Sequence, residues 1–390
     1  MTRTLLLVLA LSGVAVAQPP GKGGTKKSPN PPPAQAPAGK KPEASIGPDF
    51  KAGGLTKLAV IVSGGGSKIH SSLGGGAGNS FDPARLVEDA FLLKLLEKGY
   101  TLAARSDVDK VLKEKNFQES GATEAAGSVG KILNVPAVML VRVTDLSVEA
   151  GRAGQPATGR ASVGARLIDV KTGAILWSGT HTDGGPLSGP GAVGQGLRAV
   201  ALALADAFPE MPAASRAAPK PINPAAVPKL AVLTVGGPTR PGGSGARKES
   251  DQSDRDRQVE DAVVQVLLQK GYSLVSRTDM ASLLKEQMFQ QSGLTEDNAV
   301  AAGKLLNVSA VLVVSVTDYG GDTGGGPRGG AGAARAAVGG RLVDVASGEV
   351  RWVVAPYQVR PATGKGGKGG QADLLADVAK ELANAFPGKP

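Results

Sequence analysis

The sequence predicts an α/β protein: two tandem copies of a β-α-β-α-α-β-β-β-α domain, each with a mixed sheet covered by helices. Three observations predict it. Residues 87–124 and 259–296 align without a gap over 38 positions, and 21 of these are identical. Short apolar runs bounded by turn residues alternate with stretches whose apolar residues recur at helical spacing. Pro- and Gly-rich stretches divide the chain into compact and irregular parts.

The duplication reaches beyond its densest part. Lys57-Leu58-Ala59-Val60 matches Lys229-Leu230-Ala231-Val232, and Val143-Thr144-Asp145 matches Val316-Thr317-Asp318. Arg166-Leu167 matches Arg341-Leu342, Gly173 and Trp177 match Gly348 and Trp352, and Ala207-Phe208-Pro209 matches Ala385-Phe386-Pro387. The offset drifts only inside Gly-rich loops, where insertions are tolerated. These matches place a disordered Pro/Gly/Lys-rich segment at 18–55, a first domain at 56–209, a Pro/Ala-rich linker at 210–227 and a second domain at 228–388. A chain of 390 residues suits two domains of ordinary size.

Within one copy, Leu58–Val62 is a short buried strand. Asp82-Pro83 supplies an N-cap and a proline at the first helical position. Val87, Ala90, Phe91 and Leu95 then mark one helix face, and Gly99 ends the helix. In the second copy the face is Val259, Ala262, Val263 and Leu267. Tyr100–Ala104 is a second strand. Ser106, and Thr278 in the second copy, caps the next helix, and a third helix spans 123–133. Strands at 136–145, 160–170 and 174–181 follow as an antiparallel meander, with a tight turn at Asp169–Gly173 matched by Asp344–Gly348. A last helix at 191–208 carries Val193, Leu197, Val200 and Leu204 on one side. The first crossover is expected to be parallel and right-handed.

Arg3, the apolar run Leu5–Leu11 and Ala15-Val16-Ala17 read as a secretory signal at 1–17, cut before Gln18. The chain has no cysteine, which excludes disulfides, thiol chemistry and a lipid-modified Cys, so an exported protein that is not a lipoprotein is expected. The formal charge is +10, partly in lysine-bearing tails with almost no aromatic residues. That composition fits at most peripheral contact with a membrane surface or an anionic polymer, and not nucleic-acid binding, which interleaves charge with stacking rings.

The chemistry-bearing residue types form no catalytic or metal-binding constellation, and no cofactor is expected. His70 is matched by Gly242, and His181 lies near the counterpart of Pro356. Gly64-Gly65-Gly66-Ser67-Lys68 follows a strand but fits neither phosphate-binding glycine pattern. Arg105 with Glu114, and Arg277 with Glu286, recur in both copies as candidates for a structural clamp or a subunit contact. Trp177 and Trp352 share one position on the last strand, as core packing or as an interface anchor. The duplicated Val87-Glu88-Asp89-Ala90 puts an acidic pair in a helix's first half, where the macrodipole is its expected role.

An opening strand, Arg105/Arg277, a helix ending Leu112-Lys113-Glu114 or Leu284-Lys285-Glu286, and Phe117–Gly121 or Phe289–Gly293 together resemble the CsgG family. The Arg-Leu-(Ile/Val)-Asp-Val hairpin at 166–175 and 341–350 adds to it. These are curli production assembly/transport components, and penicillin-binding-protein activators of the LpoB type share their fold. The resemblance implies a non-enzymatic envelope protein that binds envelope proteins or itself, with a periplasmic cell-wall-synthase regulator as the alternative. The pore-forming members are lipoproteins with long membrane hairpins. The corresponding loops at 151–160, 183–191 and 320–335 lack two strands of about ten alternating residues, so no pore is expected.

Overall fold

The computed structural model describes residues 41–63, 80–103, 130–131, 133–149, 158–186, 192–215, 229–235, 246–275, 299–321, 333–361 and 368–388. The strands are β1 (Glu43–Ile46), β2 (Lys57–Ser63), β3 (Ser80–Phe81), β4 (Thr101–Ala103), β5 (Ala137–Glu149), β6 (Thr158–Asp169) and β7 (Ile175–Pro186). Then come β8 (Leu230–Val235), β9 (Ala310–Gly321), β10 (Ala333–Asp344), β11 (Glu349–Val354) and β12 (Tyr357–Pro361). The helices are α1 (Pro83–Glu97), α2 (Ala192–Asp206), α3 (Ala246–Gln269), α4 (Ala299–Leu305) and α5 (Lys368–Ala385). A mixed α/β architecture is what the sequence predicts.

Local chemistry explains the elements. Asp82 sits in extended backbone and accepts the Arg85 N–H at 3.0 Å, with Pro83 opening α1. Val87, Ala90, Phe91 and Leu95 are all buried, as are Val259, Ala262, Val263 and Leu267 on α3. In the two hairpin turns the Asp169 carboxylate accepts the Lys171 and Thr172 N–H groups, and Asp344 accepts that of Ser347. Gly173 and Gly348 close these turns at φ +73° and +64°, where a Cβ is strained. Three local bonds to backbone N–H and hydroxyl groups hold the Asp169 carboxyl below its ordinary pKa against the opposing effect of burial.

Strand β2 pairs in parallel with β4 and β5, and β5, β6 and β7 form an antiparallel meander. Likewise β8 pairs in parallel with β9, a bridge joins Leu230 to Leu274, and β9, β10 and β11 run antiparallel. The same tertiary bonds tie matching residues. Tyr100 Oη donates to the Pro209 carbonyl at 3.1 Å and Tyr272 Oη to that of Pro387 at 2.8 Å. Lys98 Nζ reaches the Asp206 carbonyl and Lys270 Nζ that of Asn384.

Among the described residues all twelve strands lie in one sheet, ordered β1-β7-β6-β5-β2-β4-β11-β10-β9-β3, with β8 on β9 and β12 on β10. The first and second halves of the chain join at β4–β11, where Leu102 pairs with Val350 and Ala103 with Glu349, and again at β3–β9, where Ser80 pairs with Tyr319 and Phe81 with Asp318. No local sequence pattern foretells these pairings.

Three expectations need correcting. The segment 18–55 is not wholly without structure: Glu43–Ile46 pairs antiparallel with Trp177–Thr180, and Phe50 packs edge-on against Phe208. Backbone pairing on an open edge orders a strand whose side chains are all exposed. The meander strands run past their expected ends, to Glu149 and Pro186, because ladder bonding continues where side-chain alternation fades. The last strand of the second half is split into β11 and β12 around Pro356, which lacks an N–H for the ladder. The second helix, most of the third, and the Gly64–Lys68 loop lie outside the described residues.

Candidate functional site

The site is the buried seam where α1 meets β10 and β11. Helix α1 covers the first-half sheet face of Leu58, Val60 and Met139. The same apolar cluster takes in Val311, Val313, Val343 and Val350 of the second half. One helix therefore serves two sheet faces, and its acidic pair Glu88-Asp89 is carried inside.

Arg341, on β10, closes the seam. Its Nε donates to Asp89 Oδ1 at 2.8 Å and its Nη1 to Glu88 Oε1 at 3.0 Å, while Nη2 also bonds Asp89. All three residues are buried. Both carboxylates face one guanidinium, whose planar fork can serve two acceptors together. Gly339 makes the approach possible, since a Cβ there would lie 2.3 Å from Asp89 Oδ2.

A second polar cluster lies beside it. Arg335 Nε donates to Asp318 Oδ1 at 2.9 Å and Tyr357 Oη to Asp318 Oδ2 at 3.0 Å. Burial pushes the Asp318 carboxyl above its ordinary pKa, partly offset by the Arg335 cation and these bonds. Burial likewise pushes the Tyr357 phenol up, helped by the Asp318 charge. Helix α2 packs here: Arg198 Nη2 donates to the Ala355 carbonyl at 3.0 Å, and a Cβ on Gly194 would fall 2.8 Å from Tyr357 Oη. Burial lowers the Arg198 guanidinium's pKa against the pull of Asp89 and Glu381. A strap from the first half completes the contact: β3 pairs with β9, and the Asp82 N–H donates to the Thr317 carbonyl at 2.8 Å.

Chemically the seam is an ionic latch. Its charges are committed to one another, and among the described residues no group of His, Asp and Glu could hold a metal. No helix of the described residues is long and apolar enough to cross a membrane.

The acidic pair corrects its sequence reading. Glu88 and Asp89 lie beyond the first turn of α1, where the dipole's effect has faded, and a cation of the opposite half faces them. Two clues were available: the pair sits between Val87 and Ala90 on the apolar side, and arginine recurs at 166 and 341.

Arg105, Glu114, Arg277, Glu286 and His70 lie outside the described residues. Trp177 is fully buried on β7, edge-on to Phe208 with ring centroids 5.1 Å apart. Its indole N–H finds no acceptor among the described residues. Trp352 stands edge-on to Phe386 at 5.0 Å but is only partly buried. His181 is buried on β7, opposite Val163.

Several solved structures are similar to parts of this chain. The PelC dodecamer from Paraburkholderia phytofirmans is 17% identical, covering 43% of this chain and 99% of that one, with a TM-score of 0.27. Lipoprotein GNA1162 from Neisseria meningitidis is 18% identical, covering 37% and 94%, with a TM-score of 0.27. LpoB from E. coli is 15% identical, covering 45% and 82%, with a TM-score of 0.21. No curated protein matches the chain. The model of the family described as the curli production assembly/transport component CsgG matches residues 216–358, so over that stretch the chain's similarity to the CsgG family is shown.

Proposed function

We propose that this chain is a non-enzymatic, exported cell-envelope binding and assembly protein of CsgG type. It is built from two tandem copies at 56–209 and 228–388, fused through a contact that would otherwise join separate subunits. The observation that carries this reading is the seam. The first copy's α1 and β4 dock on the second copy's β10 and β11, so one face of the module is made to receive another module. The family match over 216–358 and the signal-like residues 1–17 support the envelope setting. Partners are envelope proteins or further copies of the chain, with the basic tails adding at most peripheral contact to anionic surfaces. The candidate clamp of Arg105 with Glu114 and Arg277 with Glu286 belongs to the same proposal.

Expression in a double-membraned bacterium tests it. The chain is expected in the periplasmic fraction with Gln18 as its first residue by mass spectrometry. Cytoplasmic protein retaining residues 1–17 would overturn the assignment.

A further inference from the structure

Strand β7 runs from Ile175 to Pro186 and pairs with β6 from one end to the other. Its outer edge is closed over a shorter stretch. There β1 covers only Trp177–Thr180, and the Gly47 N–H adds a bond to the Leu176 carbonyl at 2.8 Å. Among the described residues no second strand lies along that edge past Thr180.

Strand β1 is a weak occupant of the edge. All four of its side chains are exposed, Ile46 at 61%, so the backbone ladder is what holds it. Pro42 and Pro48 bracket it, and a proline has no N–H with which to lengthen the ladder. The residues just after it are anchored by other means. Phe50 packs edge-on to Phe208, its N–H closes a turn on the Gly47 carbonyl at 3.1 Å, and Leu55 is buried. Glu43–Ile46 can therefore leave the edge while Phe50 and Leu55 keep their places.

The second half shows the same kind of edge filled. Strand β11 lies on β10 as β7 lies on β6, with Trp352 at the sequence position matching Trp177. The edge of β11 turned away from β10 holds β4, a strand from the other half of the chain. An edge of this design accepts a strand that is distant in sequence.

We propose that the outer edge of β7 is a binding site for an extended polypeptide segment of a partner protein, and that Glu43–Ile46 is its built-in occupant, displaced when such a segment arrives. A segment without proline pairs with Trp177–Thr180 and continues past Thr180, where Pro42 stops β1. It thus makes more ladder bonds than the four residues it replaces, and main-chain bonds supply the affinity in strand addition. The register sets its side chains. Ile46 lies opposite Trp177, so an apolar residue belongs there. Ser45 lies opposite Ser178, which in turn pairs with exposed Arg166, so an acidic residue suits the place of Ser45. The inference goes beyond the envelope reading above and does not need it, for the edge is present wherever the chain resides.

Fluorescence anisotropy of the full chain with a labelled octapeptide tests the site. The peptide alternates threonine and valine ahead of Glu-Ala-Asp-Ile, and saturable binding is expected. Because Gly47 bonds Leu176, ladder alternation makes Ser45 and Ser178 the next bonded pair. A chain with Ser45→Cys and Ser178→Cys, partners within disulfide reach, is expected to bind the peptide when reduced and to lose it when oxidised. One protein in two redox states is its own folding control, since no other cysteine is present. Ser45→Pro removes a ladder N–H from β1 alone and should bind the peptide severalfold more tightly. The same peptide with its second valine replaced by proline should not bind. Equal binding by the oxidised and reduced double variant, or no binding to Ser45→Pro, overturns the proposal.

Discussion

Arg341→Met is expected to lower the unfolding free energy by roughly 3–5 kcal/mol, read from the urea midpoint at neutral pH. The substitution keeps the apolar bulk of the side chain and removes the cation that Glu88 and Asp89 both face in a buried seam. Desolvated carboxylates without a counter-charge account for most of the loss, since transfer of an ion from water is far costlier than loss of one bond. Arg166→Met is the internal control. Arg166 stands at the matching sequence position in the first half and is exposed, so its loss should stay within about 0.5 kcal/mol. Equal effects at 166 and 341 would mean that Arg341 does not hold the halves together.

Phe208→Ala is expected to cost about 3–5 kcal/mol. Phe208 is 1% exposed and its ring meets those of Trp177, Tyr100 and Phe50 at centroid distances of 5.1, 5.3 and 5.9 Å. Removing it opens a cavity between rigid rings that cannot close by small shifts. Phe386→Ala is the paired measurement. Among the described residues the Phe386 ring meets those of Trp352 and Tyr272, and Trp352 is itself half-open. Its loss should be smaller by about 1 kcal/mol, the scale of one aromatic pair. The difference traces to Phe50, supplied by a stretch that composition alone marks as irregular.

What the residues reveal before folding is local. Asp82-Pro83, the periodic face to Leu95 and Gly99 define α1 because capping and amphipathicity act within a few turns. Asp169–Gly173 and Asp344–Gly348 define hairpins because turn chemistry is local too. The repeat itself is visible as identity between distant stretches. The pairing of Leu102 with Val350 is different, for both lie in apolar runs that would suit any buried strand. Register between segments so far apart is set by side chains that meet only after folding, and no period in either segment records it. Arg341 and Asp89 are alike in this respect: each looks like an ordinary surface charge until the seam closes. Exposed Glu43–Ile46 shows no alternation, and the β7 edge, not its own pattern, orders strand β1.

The candidate site followed the same division. The tryptophans were legible as a matched pair, and their unequal burial was not, because it depends on which half has neighbours. Glu88 and Asp89 were legible as a duplicated motif and arginine as recurring at 166 and 341, but that Arg341 faces the pair was not.

The most direct test exploits a chain with no cysteine of its own. Ala103 and Glu349 are antiparallel partners across the join of the two halves, at a spacing within disulfide reach, roughly 4.5–5.5 Å between Cα atoms. A chain carrying Ala103→Cys and Glu349→Cys should form an intrachain disulfide under mild oxidation at high dilution, seen as a faster-migrating band on a non-reducing gel. Thiols that stay free, or that link only between chains, would contradict a single sheet running through both halves.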